Sequence, residues 1–146
     1  RYGIGYASSE FRPGKGMTQW EFVCLLASTE GQRLDPAAAS KSERDSAYGT
    51  AYSLGALTRA ERSDESPLTR GALVKMLLNA AGYGPAARLS GIYTCSYSDK
   101  ASIPAGDLGY AAIAQALGMA KDTYGATRNA SRADAASMLC RILERI

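Results

Sequence analysis

The chain has no histidine, two phenylalanines, one tryptophan and three cysteines in 146 residues. Without histidine it lacks the commonest general base and the commonest metal ligand. No Gly-x-Ser-x-Gly elbow, phosphate loop or carboxylate pair at acid–base spacing takes its place. The expectation is therefore a protein that is not an enzyme and holds no cofactor. Cys24, Cys95 and Cys140 lack the paired spacing of a zinc or redox motif, so no metal site is expected. Their odd number leaves at least one free thiol or an intermolecular bond. Cys24 and Cys140 read as small hydrophobes buried on helices.

Long apolar runs are also missing, and none approaches the roughly 20 residues that a membrane-spanning helix needs. Basic runs are missing too, so the net charge of +3 gives no footprint for nucleic acid. A weakly basic surface favours an acidic polymer or serves solubility alone. The hydrophobic fraction of 46% excludes a disordered chain and is enough for one core. The first residue is Arg1 and no targeting segment is visible, which leaves export open.

What is present is one pattern written three times. The segments Met17-Thr18-Gln19-Trp20-Glu21-Phe22, Leu68-Thr69-Arg70-Gly71-Ala72-Leu73 and Ala130-Ser131-Arg132-Ala133-Asp134-Ala135 align, at a spacing of about 50 to 60 residues. Thr18, Thr69 and Ser131 read as helix N-caps. Glu21 completes a capping box and Asp134 a shorter version, whereas Ala72 cannot. Met17 with Phe22 and Leu68 with Leu73 form hydrophobic staples, and Ala130 with Ala135 a weak one. Apolar residues then continue at helical spacing, giving each helix one buried face.

A glycine precedes each cap at near-constant distance: 16 residues from Gly3 to Gln19, 15 from Gly55 to Arg70, 14 from Gly118 to Arg132. Gly55 and Gly118 close helices read over 46–54 and 108–117. The unit is helix, glycine, loop, capped helix. Only Arg1 and Tyr2 precede Gly3, so the first copy is expected to lack its leading helix and the chain to be part of a longer polypeptide. The linkers 32–41 and 82–97 separate the units within one domain.

Gly3-Ile4-Gly5-Tyr6 with Phe11-Arg12-Pro13, Thr69-Arg70, Ser131-Arg132-Ala133-Asp134, and Tyr97-Ser98-Asp99 followed by Ile103-Pro104-Ala105 together resemble the S-layer homology family. The resemblance runs over nearly the whole chain as motifs 1–34, 35–88 and 89–146. It implies an all-α, pseudo-threefold bundle of helix-loop-helix motifs on a bacterial cell surface. It also implies binding to a secondary cell-wall polysaccharide or peptidoglycan-linked polymer, often through a pyruvylated sugar in grooves between motifs. The chain departs from the family pattern at Gln19-Trp20, where arginine and alanine stand in the family, and at Gly71-Ala72, where alanine and glutamate stand. The proline of Phe-x-Pro survives only as Pro13. A degenerate array serving as a structural or protein-binding module is the competing expectation.

The candidate ligand residues are Arg70, Arg132, Gln19, Trp20, Thr69 and Ser131. An arginine at the first helical position opposes the helix dipole, so its recurrence after the cap points to an anion. With exposed N–H groups beside it, a guanidinium could grip a carboxylate with two bonds. Gln19 carries no charge, so the groove built on the first copy is expected to be the weakest. Trp20 could stack on a sugar or pack against a neighbour. Tyr6, Phe11 and Tyr124 are open between groove lining and core edge. Thr69 and Ser131 serve first as caps.

Overall fold

The structure is a computed structural model that describes residues 5–6 and 12–144. Gly3, Ile4 and Phe11, assigned above to the first copy's loop, lie outside the described residues. The fold is all-α, and among the described residues its only β pairing is three isolated bridges.

The three capped helices form where the repeat places them: α1 Gln19–Thr29, α3 Arg70–Ala80 and α6 Arg132–Leu143. Thr18, Thr69 and Ser131 are their N-caps, each accepting from the backbone N–H three residues on at 3.2, 3.2 and 3.1 Å. The staple positions Met17, Phe22, Leu68, Leu73, Ala130 and Ala135 are all buried in one core cluster that draws on all three copies. In the capping boxes the expectation is reversed: Asp134 forms a complete one with Ser131, whereas Glu21 turns elsewhere. Between these helices lie α2 Lys41–Ser53, α4 Gly84–Ala87 and α5 Leu108–Ala116. Helix α2 packs on α1, and α3 packs on α4, α5 and α6. Helix α2 starts five residues before the expected position because Ser40 and Glu43 make a full capping box. Gly55 and Gly118 end α2 and α5 with φ of 76° and 72°. The next N–H reaches back five residues, from Ala56 to Ala51 and from Met119 to Ala114, each at 3.0 Å or less.

The helix starts are joined to one another. Gly16 pairs with Ser131, Thr18 with Pro67 and Thr69 with Asn129, so each cap bridges to the residue two before the next cap. The first two N–H groups of each helix then donate into the next copy's loop. Gln19 and Trp20 donate to Ser66 and Asp64, Arg70 and Gly71 to Arg128 and Ala126, and Arg132 and Ala133 to Lys15 and Pro13, all at 2.8–3.1 Å. The bonding closes on itself, from copy one to two, two to three and three to one. At the joint of copies two and three a Cβ on Gly71 would lie 2.8 Å from the Ala126 carbonyl oxygen.

Cys24 and Cys95 are buried, but Cys140 is exposed, against expectation, on the outer face of α6. Burial pushes the Cys24 thiol up to about 12, which keeps it protonated and inert.

Two glycines test the packing in opposite directions. A Cβ on Gly109 would sit 1.9 Å from the Ala87 carbonyl oxygen, where α5 crosses α4, whereas one on Gly49 of α2 meets nothing within 4 Å. Gly109→Ala is expected to lower stability by about 2 kcal/mol or more. Gly49→Ala should raise it by about 0.5–1 kcal/mol. Urea unfolding of the two variants measures both.

Candidate functional site

The arginine after the cap is not a free side chain. Arg70 is only 7% exposed. Its Nε donates to the Tyr124 carbonyl at 3.1 Å, and its Nη1 donates to Asp134 Oδ1. Arg132 meets Glu21 at 3.6 Å, and its guanidinium lies 5.2 Å from the centre of the Tyr6 ring. Each arginine at the first helical position therefore pairs with the acid at the third helical position of the next copy. The cyclic joint brings the next helix start over the arginine and takes it out of solvent.

The same geometry relates the two degenerate positions. Gln19 stands in the arginine place, and the acid place of the following copy holds Ala72, so charge is missing from both sides of one joint. Gln19 is held by neutral bonds instead. Its Nε2 donates to the Glu61 carbonyl at 2.9 Å, and its Oε1 accepts from the Tyr48 hydroxyl at 3.0 Å and the Ser63 N–H at 2.7 Å. Beside it Arg62 grips Asp64 at 2.8 Å and Asp45 at 2.9 Å, while Arg44 reaches Asp64 and Glu65 at 3.2 Å. The Arg62 pair holds the Asp64 carboxyl below the usual carboxylate range, against its partial burial.

Trp20 offers no face to a sugar. It is 2% exposed, stacks on Tyr48 with centroids 6.1 Å apart, lies under Arg44 and donates from Nε1 to the Pro36 carbonyl at 2.9 Å. Tyr124 is fully buried beside Tyr97 and belongs to the core. Tyr6 covers Arg132. The backbone N–H groups expected to receive an anion are already bonded, the first two of each helix to the neighbouring loop and the third to its own cap.

Two charged joints open onto grooves. One of about 310 Å³ runs along Lys15, Glu21, Asp35, Arg44, Glu65 and Arg132, and draws on all three copies. The other, of about 290 Å³ between copies two and three, is walled by Arg70, Lys121, Asp134, Ser137 and Arg141, with Met119 and Met138 among them. Sequence reasoning missed Lys121 and Arg141. The signal was available for Arg141, since Asp134, Ser137 and Arg141 fall on one face of α6 by helical spacing. Lys121 comes three residues after the Gly118 turn. Asp99 was quoted for the resemblance but given no role. Its carboxylate accepts from the N–H groups of Tyr124 at 2.9 Å and Gly125 at 2.7 Å, which fixes the loop whose carbonyl Arg70 uses. The Tyr124 bond holds the Asp99 carboxyl below its ordinary value.

Asp134 gives the joint a pH dependence. Burial opposes its charge, but the Ser131 N–H and the Arg70 guanidinium outweigh it and hold the carboxyl below its ordinary value of 3.8. A depressed carboxyl stabilises fully above its unfolded value and ceases to as pH falls through the folded one. Below about pH 4 the wild type should thus lose stability faster than Asp134→Ala. At neutral pH, Asp134→Ala leaves Arg70 buried without its carboxylate, at an expected cost of about 3 kcal/mol. Adding Arg70→Gln recreates the chemistry of the Gln19–Ala72 joint and should recover at least about 1 kcal/mol. A double-mutant cycle by urea unfolding reads the coupling.

No protein-family model matches this chain and no curated protein matches it, so its likeness to the S-layer homology family stands on the residues named above.

Proposed function

We propose that this chain is a non-catalytic glycan-binding module that holds an exported protein on an anionic cell-wall polysaccharide at a bacterial surface. The observation that carries this reading is that the two arginine-bearing joints each open onto a groove, of about 290 and 310 Å³. Such volumes fall at the lower end of small-ligand sites and suit one or two sugar units. Their walls are rich in charged groups, which a glycan's own hydroxyls and carboxylates can meet. A pseudo-threefold relation among the motifs belongs to the same reading and is supported by the closed bonding cycle. Helix α4 has no counterpart in the other copies among the described residues. The neutral joint at Gln19 contributes no anion site.

A second reading has an observation of its own. Both arginines are engaged within the chain and the helix N–H groups are bonded, which is what a structural or protein-binding array needs and a ligand site does not. Sedimentation with purified cell-wall fragments, before and after extraction of the wall polymer, separates the two. The glycan reading expects the chain to sediment with intact walls and to stay in solution with extracted ones. It also expects the bound fraction to fall several-fold when salt rises from about 0.05 to about 0.5 M, because one or two charges meet the ligand. Equal sedimentation with both wall preparations, or none with either, would leave the structural reading.

A further inference from the structure

We propose that the groove between copies two and three is a carboxylate site in which Lys121 and Arg141 grip the anion, while Arg70 and Asp134 are positioning residues that shape its wall. The proposal rests on the glycan-binding reading for the identity of the ligand, but its chemistry comes from the groove itself.

The two grooves differ in charge. In the groove that Arg132 lines, Lys15, Arg44 and Arg132 face Glu21, Asp35 and Glu65, and the wall is neutral. Between copies two and three, Arg70, Lys121 and Arg141 face Asp134 alone. An anion entering the second groove meets an excess of positive charge, and one entering the first does not.

Within the second groove the cations are not equally available. Arg70 is spent on the Tyr124 carbonyl and Asp134. Among the described residues Arg141 meets only Glu144, at 3.8 Å, with both side chains at least half exposed, a pairing that holds it weakly. Lys121 is exposed and has no ion pair or hydrogen bond among the described residues. Two exposed cations that line one groove, one just after the Gly118 turn and one from α6, can meet one carboxylate. The exposed Ser137 hydroxyl offers a bond to a sugar.

The test is an NMR titration of the whole chain with sodium acetate, with a pyruvylated wall oligosaccharide and with its depyruvylated form, while Trp20 fluorescence is followed. Acetate and the pyruvylated fragment are expected to shift amides over 118–121 and 137–141 and to leave Trp20, which lines only the other groove, unchanged. Lys121→Ala and Arg141→Ala should each weaken the fragment about three- to tenfold, and the pair more. Lys121→Arg, which keeps the charge, should bind within about threefold of wild type. Normal binding by the Lys121→Ala/Arg141→Ala variant, or shifts confined to the Trp20 groove, would overturn the assignment. If no wall fragment binds but acetate still moves these amides in a Lys121- and Arg141-dependent way, the wall reading falls and the carboxylate site stands. If acetate and fragment both leave them unmoved, the site falls.

Discussion

The closed cycle of backbone hydrogen bonds between helix starts and neighbouring loops is the constraint on which the rest of this structure depends. A helix leaves its first N–H groups without internal partners, and burying them unpaired is costly. Here the cap hydroxyl takes the third N–H, and the loop of the next copy takes the first two. Each helix start therefore needs another copy beside it to be complete. One unit alone would leave donors open on its helix and carbonyls open on its loop, and the cycle of three closes both sets. The core follows from that joint, because the staple residues on either side of each cap are drawn to one centre.

How much of this the sequence discloses depends on range. The caps, the staples and the closing glycines are local, encoded within a few residues, and they are where the pattern places them. Ser40 and Glu43 carried the same kind of signal and went unread because the alanine-rich stretch before them looks like a linker. The fate of Arg70 is a different matter. The local pattern shows an arginine at a helix start, a position that normally faces water. Only the three-dimensional joint shows that Asp134, 64 residues away, sits against it. Trp20 fails to be a ligand for the same reason: the Pro36 carbonyl and the Tyr48 ring that enclose it come from another segment. The helix N–H groups, read as open from sequence, are claimed by loops from another copy.

The pairing across joints gives the two irregular copies a single explanation. Gln19 and Ala72 look like separate departures from one pattern when each copy is read alone. Across the joint they are partners, and either one alone would leave a buried charge unmatched: an arginine facing Ala72, or an acid facing Gln19. A buried charge without its partner costs several kcal/mol, about 3–5, whereas a neutral pair of suitable shape costs little. Loss of both together is therefore the change that the fold tolerates. Gln19 then uses its amide on Glu61, Tyr48 and Ser63, and the cations nearby, Arg44 and Arg62, are neutralised by Asp45, Asp64 and Glu65.

This arrangement moves the place where charge can act on a ligand. If the helix starts were open, their N–H groups and the arginines beside them would form an anion site in every charged copy. Since the joint engages both, the repeated arginine has a part in the assembly of the domain. Surplus charge then has to come from residues outside the repeated pattern. Lys121 and Arg141 are such residues: Tyr6 and Thr58 stand at the places that Lys121 holds three residues after Gly118, and Ser28 and Asn79 at the places that Arg141 holds in α6. The repeat accounts for the scaffold, and the unrepeated cations account for the difference between one groove and another.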